Sequence, residues 1–464
     1  MSNRLLIDHD ESWRSVAKKV TKLAFPIILS NLLYTIESAF SIILVSGLSA
    51  TAVAAVGYSA SMLWFIYSLM ALSYTGTSVL VAQMTGAKKD PSPALLWGLI
   101  LSILTALPLT FTGTNLVTFL MGEFGASKGV TALAKEYLDP IFTFIIVGFI
   151  TNTLYAAYNG YGDTKTPFKV ALIMNFVNIS SAYLLIYGNL GFPRLETKGA
   201  GWGIALSELV GLAVYIYLYI RGRKPFPICL SFSKDVLIKI LRVGTPTALE
   251  RAFSSLSFNI FVGFLASFGD KVLAAHQIGL RVESASFMIG FGFMTASTTL
   301  SGQNWGAKNY AGLDYGVRIT AHVTALTMGF MGLLLLLFPH YFSLIFTRDS
   351  QVTRYAVYYL VIVALSQPQM AYASIYSGAL KGMGKTYIPL GVNLISFWLF
   401  RIIPSYLLLR QFHTPLVPWI FMSFEMSMRA IIFYWAYKRE IAKFLSSRTK
   451  GGRCIKVQPE GIKK

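Results

Sequence analysis

The chain has 464 residues, of which 55% are hydrophobic and only 13% are charged, and its formal net charge is +20. Soluble proteins carry roughly 25% charged residues, so this composition excludes an ordinary soluble domain. A strongly basic chain could bind nucleic acid, but basic residues also collect in the cytoplasmic loops of membrane proteins. We therefore expect a protein of the lipid bilayer with no nucleic-acid partner.

Apolar stretches of membrane-spanning length recur along the whole chain. A helix needs roughly 20 apolar residues to cross a hydrocarbon core of about 30 Å, because each residue adds about 1.5 Å. The first twenty residues are polar and mixed in charge, unlike a cleaved signal peptide. The sequence thus predicts an all-α integral membrane protein with twelve transmembrane helices, at 20–45, 52–82, 94–120, 131–160, 167–190, 199–221, 237–267, 274–302, 315–346, 351–380, 387–410 and 416–438.

The distribution of basic residues predicts how the chain is oriented. An even number of spans returns both termini to one side of the membrane. Most of the 40 lysines and arginines fall in segments on that side. Since Lys and Arg accumulate in cytoplasmic loops, we predict a multi-pass protein of the plasma (inner) membrane with both termini in the cytoplasm. Cys229 and Cys454 fall in these cytoplasmic segments, so no disulfide framework is expected.

Two short motifs indicate an internal repeat. VAQMTGAKK starts at Val81 and SGQNWGAKN at Ser301, and both contain Gln-x-x-Gly-Ala-Lys at a separation of 220 positions. We interpret them as equivalent cytoplasmic ends of the second and eighth spans, where Gly86 and Gly306 end the helices. The same offset aligns further pairs, among them Pro26 with Pro246, Ala54-Ala55 with Ala274-Ala275, and Lys165-Thr166 with Lys385-Thr386.

The repeat predicts two six-helix lobes. Because six is an even number, both halves share one orientation, and their pseudo-two-fold axis runs along the membrane normal, as in alternating-access transporters. We predict an N-terminal lobe at 1–222, a basic cytoplasmic linker at 223–242, a C-terminal lobe at 243–440 and a basic cytoplasmic tail at 441–464.

Glutamates inside the predicted spans are the leading candidates for transport chemistry. A charged side chain at the bilayer centre costs about 2.5–3.5 kcal/mol on insertion scales, so it normally faces a cavity or a partner. The first span of each half carries a glutamate on a stripe of residues spaced three or four apart: Ser30, Tyr34, Glu37 and Ser41, and then Glu250, Ser254, Ser257 and Phe261. We expect both stripes to face one central cavity, where Glu37 and Glu250 bind the coupling ion or the substrate. The alternative for each is a hydrogen-bonded structural glutamate.

Three more glutamates, Glu208, Glu283 and Glu425, are weaker candidates. Glu425 precedes Arg429 by four residues, which is the spacing of an intrahelical ion pair. A structural ion pair is therefore the preferred interpretation for Glu425, and structural pairing is also preferred for Glu208.

Other polar features of the spans allow a functional or a structural interpretation. Asn178, in the fifth span, can bond to a cavity ligand or to a neighbouring helix. Pro26 and Pro246 each remove a backbone hydrogen bond several residues into a span and so predict kinks. His276 and His322 have no metal-ligand neighbours in the sequence, so no metal site is predicted.

The energy source is predicted to be an ion gradient. The stretch GALKGMGKT at 378–386 resembles a phosphate-binding loop, but its glycine spacing is one residue too long and it follows a membrane helix. We therefore expect no nucleotide and no other cofactor, and H⁺ or Na⁺ as the coupling ion.

Several motifs resemble the MATE (multidrug and toxic compound extrusion) family over nearly the whole chain. The most specific are Gly-Gln-Asn-Trp-Gly-Ala-Lys-Asn at 302–309 and Tyr-Gly-Asp-Thr-Lys-Thr-Pro at 161–167. The resemblance implies two lobes of six helices around a V-shaped cavity, and H⁺ or Na⁺ antiport of amphipathic, often cationic compounds.

The chain departs from the family at two acidic positions. Members commonly carry an aspartate fifteen residues after the first-span proline, where this chain has Ser41. Many prokaryotic members carry a second one four residues after an asparagine that matches Asn178, where this chain has Ala182. Glu37 lies one turn before Ser41 on the same stripe and is the expected substitute, so the resemblance leaves the choice between H⁺ and Na⁺ open.

The leading hypothesis is a monomeric secondary transporter that exports drugs or toxic metabolites by alternating access. The runner-up is a flippase for a lipid-linked sugar, which would need a strongly basic cavity, whereas the few intramembrane basic residues here are expected to be matched by glutamates. A membrane enzyme is disfavoured because the sequence shows no nucleophile or metal constellation.

Overall fold

The computed structural model describes residues 5–8, 10–222, 232–412 and 414–450, and the regular structure in these ranges is helical. A 3₁₀ turn lies at Asn189–Gly191 and a π-helical segment at Ser396–Ile402. The α-helices, numbered in chain order, are α1 (Trp13–Ser46), α2 (Ala50–Ser68), α3 (Ala71–Gly86), α4 (Ser92–Glu123), α5 (Lys128–Thr143), α6 (Ile145–Tyr161), α7 (Lys165–Tyr187), α8 (Thr197–Ile220), α9 (Lys234–Ala266), α10 (Asp270–Gly306), α11 (Tyr310–Leu337), α12 (Pro339–Leu344), α13 (Ser350–Ala364), α14 (Gln367–Gly382), α15 (Tyr387–Ile395), α16 (Ile403–Phe412) and α17 (Leu416–Lys450).

The twelve predicted spans correspond to these helices, several of them as interrupted pairs. Within the described ranges, eight helices are long and apolar enough to cross a membrane, and α5 with α6, bent by 56°, can form a ninth crossing. The helices α9 and α10 have 33 and 37 residues, and they are more polar because they carry the charged residues discussed below. With each interrupted pair counted as one crossing, the order of helices matches the predicted all-α fold.

Prolines account for two of the interruptions. Pro339 begins α12 and Pro368 lies in the first turn of α14, where the missing N–H costs nothing. Pro26 and Pro246, by contrast, lie inside α1 and α9, and each of these helices continues unbroken past its proline.

The predicted linker and tail are partly helical. Because α9 begins at Lys234, the second half of the predicted linker forms its first turns, and α17 continues to Lys450. The remaining stretches, 223–231 with Cys229 and 451–464 with Cys454, lie outside the described residues.

Each lobe packs its first span against its fifth. In the N-terminal lobe, the Tyr187 hydroxyl of α7 donates to the carbonyl oxygen of Leu44 in α1 at 2.7 Å. In the C-terminal lobe, α9 packs against α15 in the equivalent way, through Glu250 and Asn393. The face that α1 or α9 turns toward its own lobe is therefore fixed by these pairings.

The first described residues and the C-terminal part of α17 lie at the same end of the helix bundle, which we call the terminal end. The backbone N–H of Leu5 donates to Gln303 Oε1 at 2.7 Å, and the Ile7 N–H donates to Asn304 Oδ1 at 3.2 Å. Near the other terminus, the ring of Phe444 in α17 lies 4.6 Å from that of Trp305. The segment that leads into the N-terminal lobe is thus attached to the C-terminal lobe.

The two repeated motifs meet across the lobe boundary at the terminal end. A Cβ at Gly86 would collide with the carbonyl oxygen of Gln303, and a Cβ at Gly306 would collide with that of Gln83. These two glycines allow close backbone contact between α3 and α10. Gly86 and Gly306 are the last residues of these helices, which confirms them as helix ends, and the left-handed residues that follow are Lys88 and Lys308, with φ of 60° and 57°.

The glutamines of the two motifs complete this contact. Gln83 Nε2 donates to the carbonyl oxygen of Gly382 at 2.8 Å. Gln303 Nε2 donates to the carbonyl oxygens of Gly160 and Tyr161 at 3.1 and 3.0 Å. Each glutamine satisfies carbonyl groups at a helix end of the opposite lobe, so the lobes are closed together at the terminal end.

The lobes separate toward the opposite, distal end. Near the middle of α1, Asn31 Nδ2 donates to the Met288 carbonyl oxygen of α10 at 3.5 Å. Of the contacts described here between these two helices, it is the farthest from the terminal end. Beyond it, Ser38 of α1 and Asn259 of α9 are exposed, and a Cβ at Gly263 would meet nothing within 4 Å. A cavity between the lobes therefore opens away from the termini.

We predict that Gly86→Ala or Gly306→Ala opens the terminal end. The added methyl group collides with a backbone carbonyl, and overpacking of this kind costs about 1–3 kcal/mol. Spin labels at the equivalent positions Lys165 and Lys385 should report longer inter-lobe distances. Gly263→Ala, which adds the same methyl group in open space, is the control and should leave the distances unchanged. Unaltered distances in both motif variants would show that the glycine contact does not hold the lobes together.

Candidate transport site

Two carboxylates of the N-terminal lobe lie within its spans, and the described residues provide no cationic partner for them. Glu37 of α1 is half-buried and accepts a hydrogen bond from the side-chain amide of Asn178 in α7. Glu208 of α8 lies close enough to Glu37 for their charges to interact, and its Oε2 is buried without a hydrogen-bond partner. In the part of the chain that the structure describes, neither carboxylate forms an ion pair. Because like charges repel, the presence of each carboxylate favours binding of a proton or a small cation at the other.

Polar and aromatic residues surround this carboxylate pair. The Ser41 hydroxyl donates to the carbonyl oxygen of Glu37 at 3.0 Å, so it bonds to its own helix. The carboxyl carbon of Glu208 approaches Gly148 of α6, where a Cβ would lie 3.6 Å away. Tyr34 is 48% exposed and meets Trp64 edge-on at 6.5 Å between ring centroids. Tyr34 thus lies at the surface of the site, and Glu208 lies deeper in it.

In the C-terminal lobe, Glu250 is neutralised by a lysine. Lys381 of α14 places its Nζ 3.0 Å from both carboxylate oxygens, and Asn393 Nδ2 of α15 donates to Oε1 at 2.6 Å. Both charged side chains are buried. Lys381 directly follows the predicted tenth span (351–380), and the structure places it in the last turn of α14 with its ammonium group inside the lobe.

The expectation that both glutamate stripes face one central cavity was wrong. Glu37 faces α7, and Glu250 faces α14 and α15. Ser257 and Phe261, on the Glu250 stripe, are 2% and 0% exposed. The physical reason is the packing of each first span on the fifth span of its own lobe, which turns both glutamates toward their own lobe, although Tyr34 on the α1 stripe stays exposed.

The serines of the α9 stripe have no described bonding role. Ser257 Oγ is buried without a hydrogen-bond partner, and for the half-buried Ser254 side chain the described part of the chain offers none either. Their position inside the lobe leaves the assignment of Ser254 and Ser257 to substrate binding without structural support.

Glu283 is held by neutral groups. It accepts hydrogen bonds from the Tyr359 hydroxyl at 2.7 Å and from Gln367 Nε2 at 3.0 Å. Gln367 Oε1 in turn accepts from Ser286 Oγ at 2.6 Å. This network joins α10 to α13 and α14, so Glu283 links spans eight and ten.

Glu425 is the centre of a buried ion-pair triad. Its carboxylate lies 2.6 Å from Arg401 Nη2 and 3.2 Å from Arg429 Nε. The Phe397 ring lies against both guanidinium groups, at 4.8 and 5.1 Å from its centroid. Arg401 belongs to the π-helical segment of span eleven. The triad fixes that segment to α17.

The histidines remain apart from these networks. His276 is fully buried among aromatic rings, 5.2 Å from the Tyr359 ring centroid, and neither ring nitrogen has a partner. His322 Nδ1 lies 3.0 Å from the Tyr372 hydroxyl. No group of three His, Cys, Asp or Glu side chains that could hold a metal ion is found among the described residues.

Sequence reasoning missed the partners of the acidic residues. Asn393 had a usable signal, because it follows Glu250 by nearly the same interval as Asn178 follows Glu37. For Lys381 no such signal exists, since the 220 offset pairs it with Tyr161.

Comparison with known proteins gives consistent matches. The family model described as MatE matches residues 26–184 and 246–407, one stretch in each lobe. The "Probable multidrug resistance protein NorM" of Thermotoga maritima is 31% identical over 435 residues, which cover 90% of this chain and 91% of that protein.

Two solved structures share the fold. One, described as a MATE in the bent conformation, has a TM-score of 0.86 at 20% identity and covers 95% of this chain and 99% of its own. The other, described as the outward-facing conformation of a multidrug resistance MATE family transporter, has a TM-score of 0.85 at 21% identity, with 93% and 97% covered.

We predict that Glu425→Gln strongly destabilises the protein. Removal of one partner from a buried ion pair costs about 3–5 kcal/mol, because here two guanidinium groups lose their counter-charge. The apparent melting temperature of the detergent-solubilised protein should fall by many degrees. Glu196→Gln is the matched control, because its ion pair with Arg194 is exposed and worth about 0–1 kcal/mol. Equal melting temperatures for the two variants would contradict a stabilising role for the triad.

Proposed function

Because this chain belongs to the MATE family of membrane transporters, we propose that it exports amphipathic small molecules in exchange for H⁺ or Na⁺ that enters the cell. One observation carries the coupling half of this proposal. Glu37 and Glu208 form a carboxylate pair inside the N-terminal lobe with an amide donor and no cation. A pair of this kind gains a proton readily and loses it again when its surroundings change.

The carboxylate pair stands in place of the usual family aspartates. This chain has Ser41 and Ala182 at those two positions. Glu37 nevertheless bonds to Asn178, which lies four residues before Ala182. In the described part of the C-terminal lobe, Glu250 and Glu425 are neutralised by Lys381, Arg401 and Arg429, and Glu283 is a single carboxylate already held by two donors, Tyr359 and Gln367. We assign coupling to Glu37 and Glu208 on this contrast.

We favour H⁺ as the coupling ion. The side-chain amide N–H of Asn178 donates to Glu37, so the amide presents a hydrogen-bond donor to this carboxylate. A bound Na⁺ would instead need several oxygen ligands around it. Protonation of Glu37 would weaken the bond between α1 and α7, and it would thereby change the packing of the helix that also contacts the other lobe.

The transport cycle that we propose uses alternating access in the plasma membrane. Both termini lie in the cytoplasm, and the cavity described above then opens to the outside. The protein acts as a monomer without a cofactor, and its substrates are drugs or toxic metabolites of the amphipathic, often cationic kind that the family resemblance implies. A lipid flippase remains the second candidate, and it is disfavoured because three of the intramembrane basic residues are matched by glutamates.

We predict that Glu37→Gln and Glu208→Gln each reduce gradient-driven export. In proteoliposomes, accumulation of a cationic dye driven by a pH gradient should fall roughly 5- to 150-fold, because coupling energies between sites are typically 1–3 kcal/mol. Glu136→Gln, at an exposed position of α5, is the control and should match the parent. A separate Na⁺ gradient tests the ion directly. Full pH-driven transport in both variants would remove the carboxylate pair from the mechanism.

A further inference from the structure

Two intramembrane arginines lack the acidic partners that the other buried cations have. Lys381, Arg401 and Arg429 each form an ion pair with a glutamate. Arg251 of α9 and Arg281 of α10 are exposed, and for neither does the described part of the chain supply an ion pair. An unpaired arginine within a span normally faces a water-filled cavity, because exposure to lipid is costly.

Arg251 lies on the face of α9 that the N-terminal lobe contacts. A Cβ at Gly244 would collide with the Leu72 carbonyl oxygen of α3, so this face touches the other lobe. Positions seven apart point within about 20° of each other around a helix, which places Arg251 on the same face, two turns nearer the distal end. Its charge also interacts with Tyr74 of α3. Arg251 therefore faces the space between the lobes.

Arg281 occupies the corresponding place on α10. Gly292 packs against Ile28 of α1, and the Met288 carbonyl accepts from Asn31, so this face of α10 meets the N-terminal lobe. Arg281 precedes these two residues by eleven and seven positions, which again points it in nearly the same direction. It lies two turns beyond the Asn31 contact, where the lobes have separated.

We propose that Arg251 and Arg281 provide an anion-binding subsite in the cavity, so that the transported amphipathic compounds include zwitterionic ones that carry a carboxylate, sulfonate or phosphate group beside their cationic centre. This inference rests on the proposed transport function and names its substrate class. Guanidinium groups bind such anions through paired charge-assisted hydrogen bonds. The 220-residue offset pairs Arg251 with Asn31 and Arg281 with Ser61, and both of these residues are uncharged. The subsite thus belongs to the C-terminal lobe alone.

The carboxylate pair does not neutralise this subsite. Glu37 points almost opposite to Ile28 around α1, because nine positions correspond to about 180°. It faces the N-terminal lobe interior, whereas Ile28 faces α10. Proton binding and anion binding are therefore served by different faces and different lobes. The acids nearest the arginines in sequence are engaged inside the C-terminal lobe, Glu250 by Lys381 and Glu283 by Tyr359 and Gln367.

A matched pair of dyes tests the subsite. The free acid of a rhodamine dye carries a carboxylate, and its methyl ester is the same fluorophore without it. Binding of each to the purified protein is measured by fluorescence anisotropy, which needs no ion gradient. The parent should bind the acid more tightly than the ester. Arg251→Gln and Arg281→Gln should each weaken acid binding about tenfold to a hundredfold, the loss expected for a charge-assisted hydrogen bond, and leave ester binding unchanged.

Two further variants separate the charge from a structural role. Arg251→Lys and Arg281→Lys keep the positive charge and should retain part of the preference for the acid. Arg348→Gln, at an exposed position between α12 and α13, is the control and should bind both dyes like the parent. Equal binding of acid and ester by the parent, or equal weakening of both dyes in the Gln variants, would overturn the subsite.

A competitor identifies where the anion comes from. Displacement of the acid dye by benzoate supports the subsite and a soluble organic acid as its ligand. Displacement by a short-chain prenyl pyrophosphate but not by benzoate supports the subsite with a lipid-borne anion. Arginine-dependent binding of the acid without any gradient-driven transport would leave the subsite standing and contradict the antiport function, whereas gradient-driven transport of the ester without a preference for the acid would do the reverse.

Discussion

A charged side chain inside the hydrocarbon must find a partner or reach water, and this constraint organises the polar residues of the spans. Glu425 and Glu250 are satisfied by fixed cations, and these pairs hold span eleven to span twelve and span seven to spans ten and eleven. Glu283 is satisfied by a hydroxyl and an amide. Among the described residues, Glu37 and Glu208 in one lobe, and Arg251 and Arg281 in the other, form no ion pair. The ion pairs and the Glu283 network stabilise the lobes, and on the proposed function the remaining charges are available to the ion and the substrate.

The helices α1 and α9 connect the interior of each lobe to the boundary between the lobes. On α1, Glu37 bonds to α7 on one face, while Ile28 and Asn31 contact α10 on the other. A change in the Glu37 bond therefore acts on a helix that also forms the lobe boundary, and Pro26 removes a backbone hydrogen bond that would otherwise stiffen it. At the terminal end, the lobes are in close contact at Gly86 and Gly306, and this contact would have to break for the cavity to open on that side. Alternating access requires both: a site that responds to the ion, and a contact that can open.

The twelve spans and the two-lobe repeat could be predicted from the sequence, because apolar length and a constant offset are properties of the chain itself. The sequence shows Pro339 and Pro368 but not that these prolines interrupt spans while the helices around Pro26 and Pro246 continue, and the π-helical segment around Arg401 has no signal in the sequence. For the site, periodicity identified the glutamates but predicted the wrong direction for them. A stripe shows which residues share one face of a helix, but it does not show which other helix packs against that face. At the positions that the 220-residue offset pairs with Lys381 and Tyr359, the N-terminal lobe has residues of another type. The repeat therefore could not reveal these two partners.

A duplicated scaffold with unlike chemistry in its halves has a mechanistic consequence. If both lobes carried free carboxylates on equivalent faces, an ion could bind in either and the coupling would be divided between them. Here the repeat pairs Glu37 with Ser257 and Glu250 with Ser30. Neither glutamate therefore has a charged equivalent in the other lobe. The ion pair with Lys381 occupies Glu250, so on the proposed function this carboxylate does not compete for the ion. The division of labour that we propose places ion binding in the N-terminal lobe and leaves Arg251 and Arg281 of the C-terminal lobe to face the substrate.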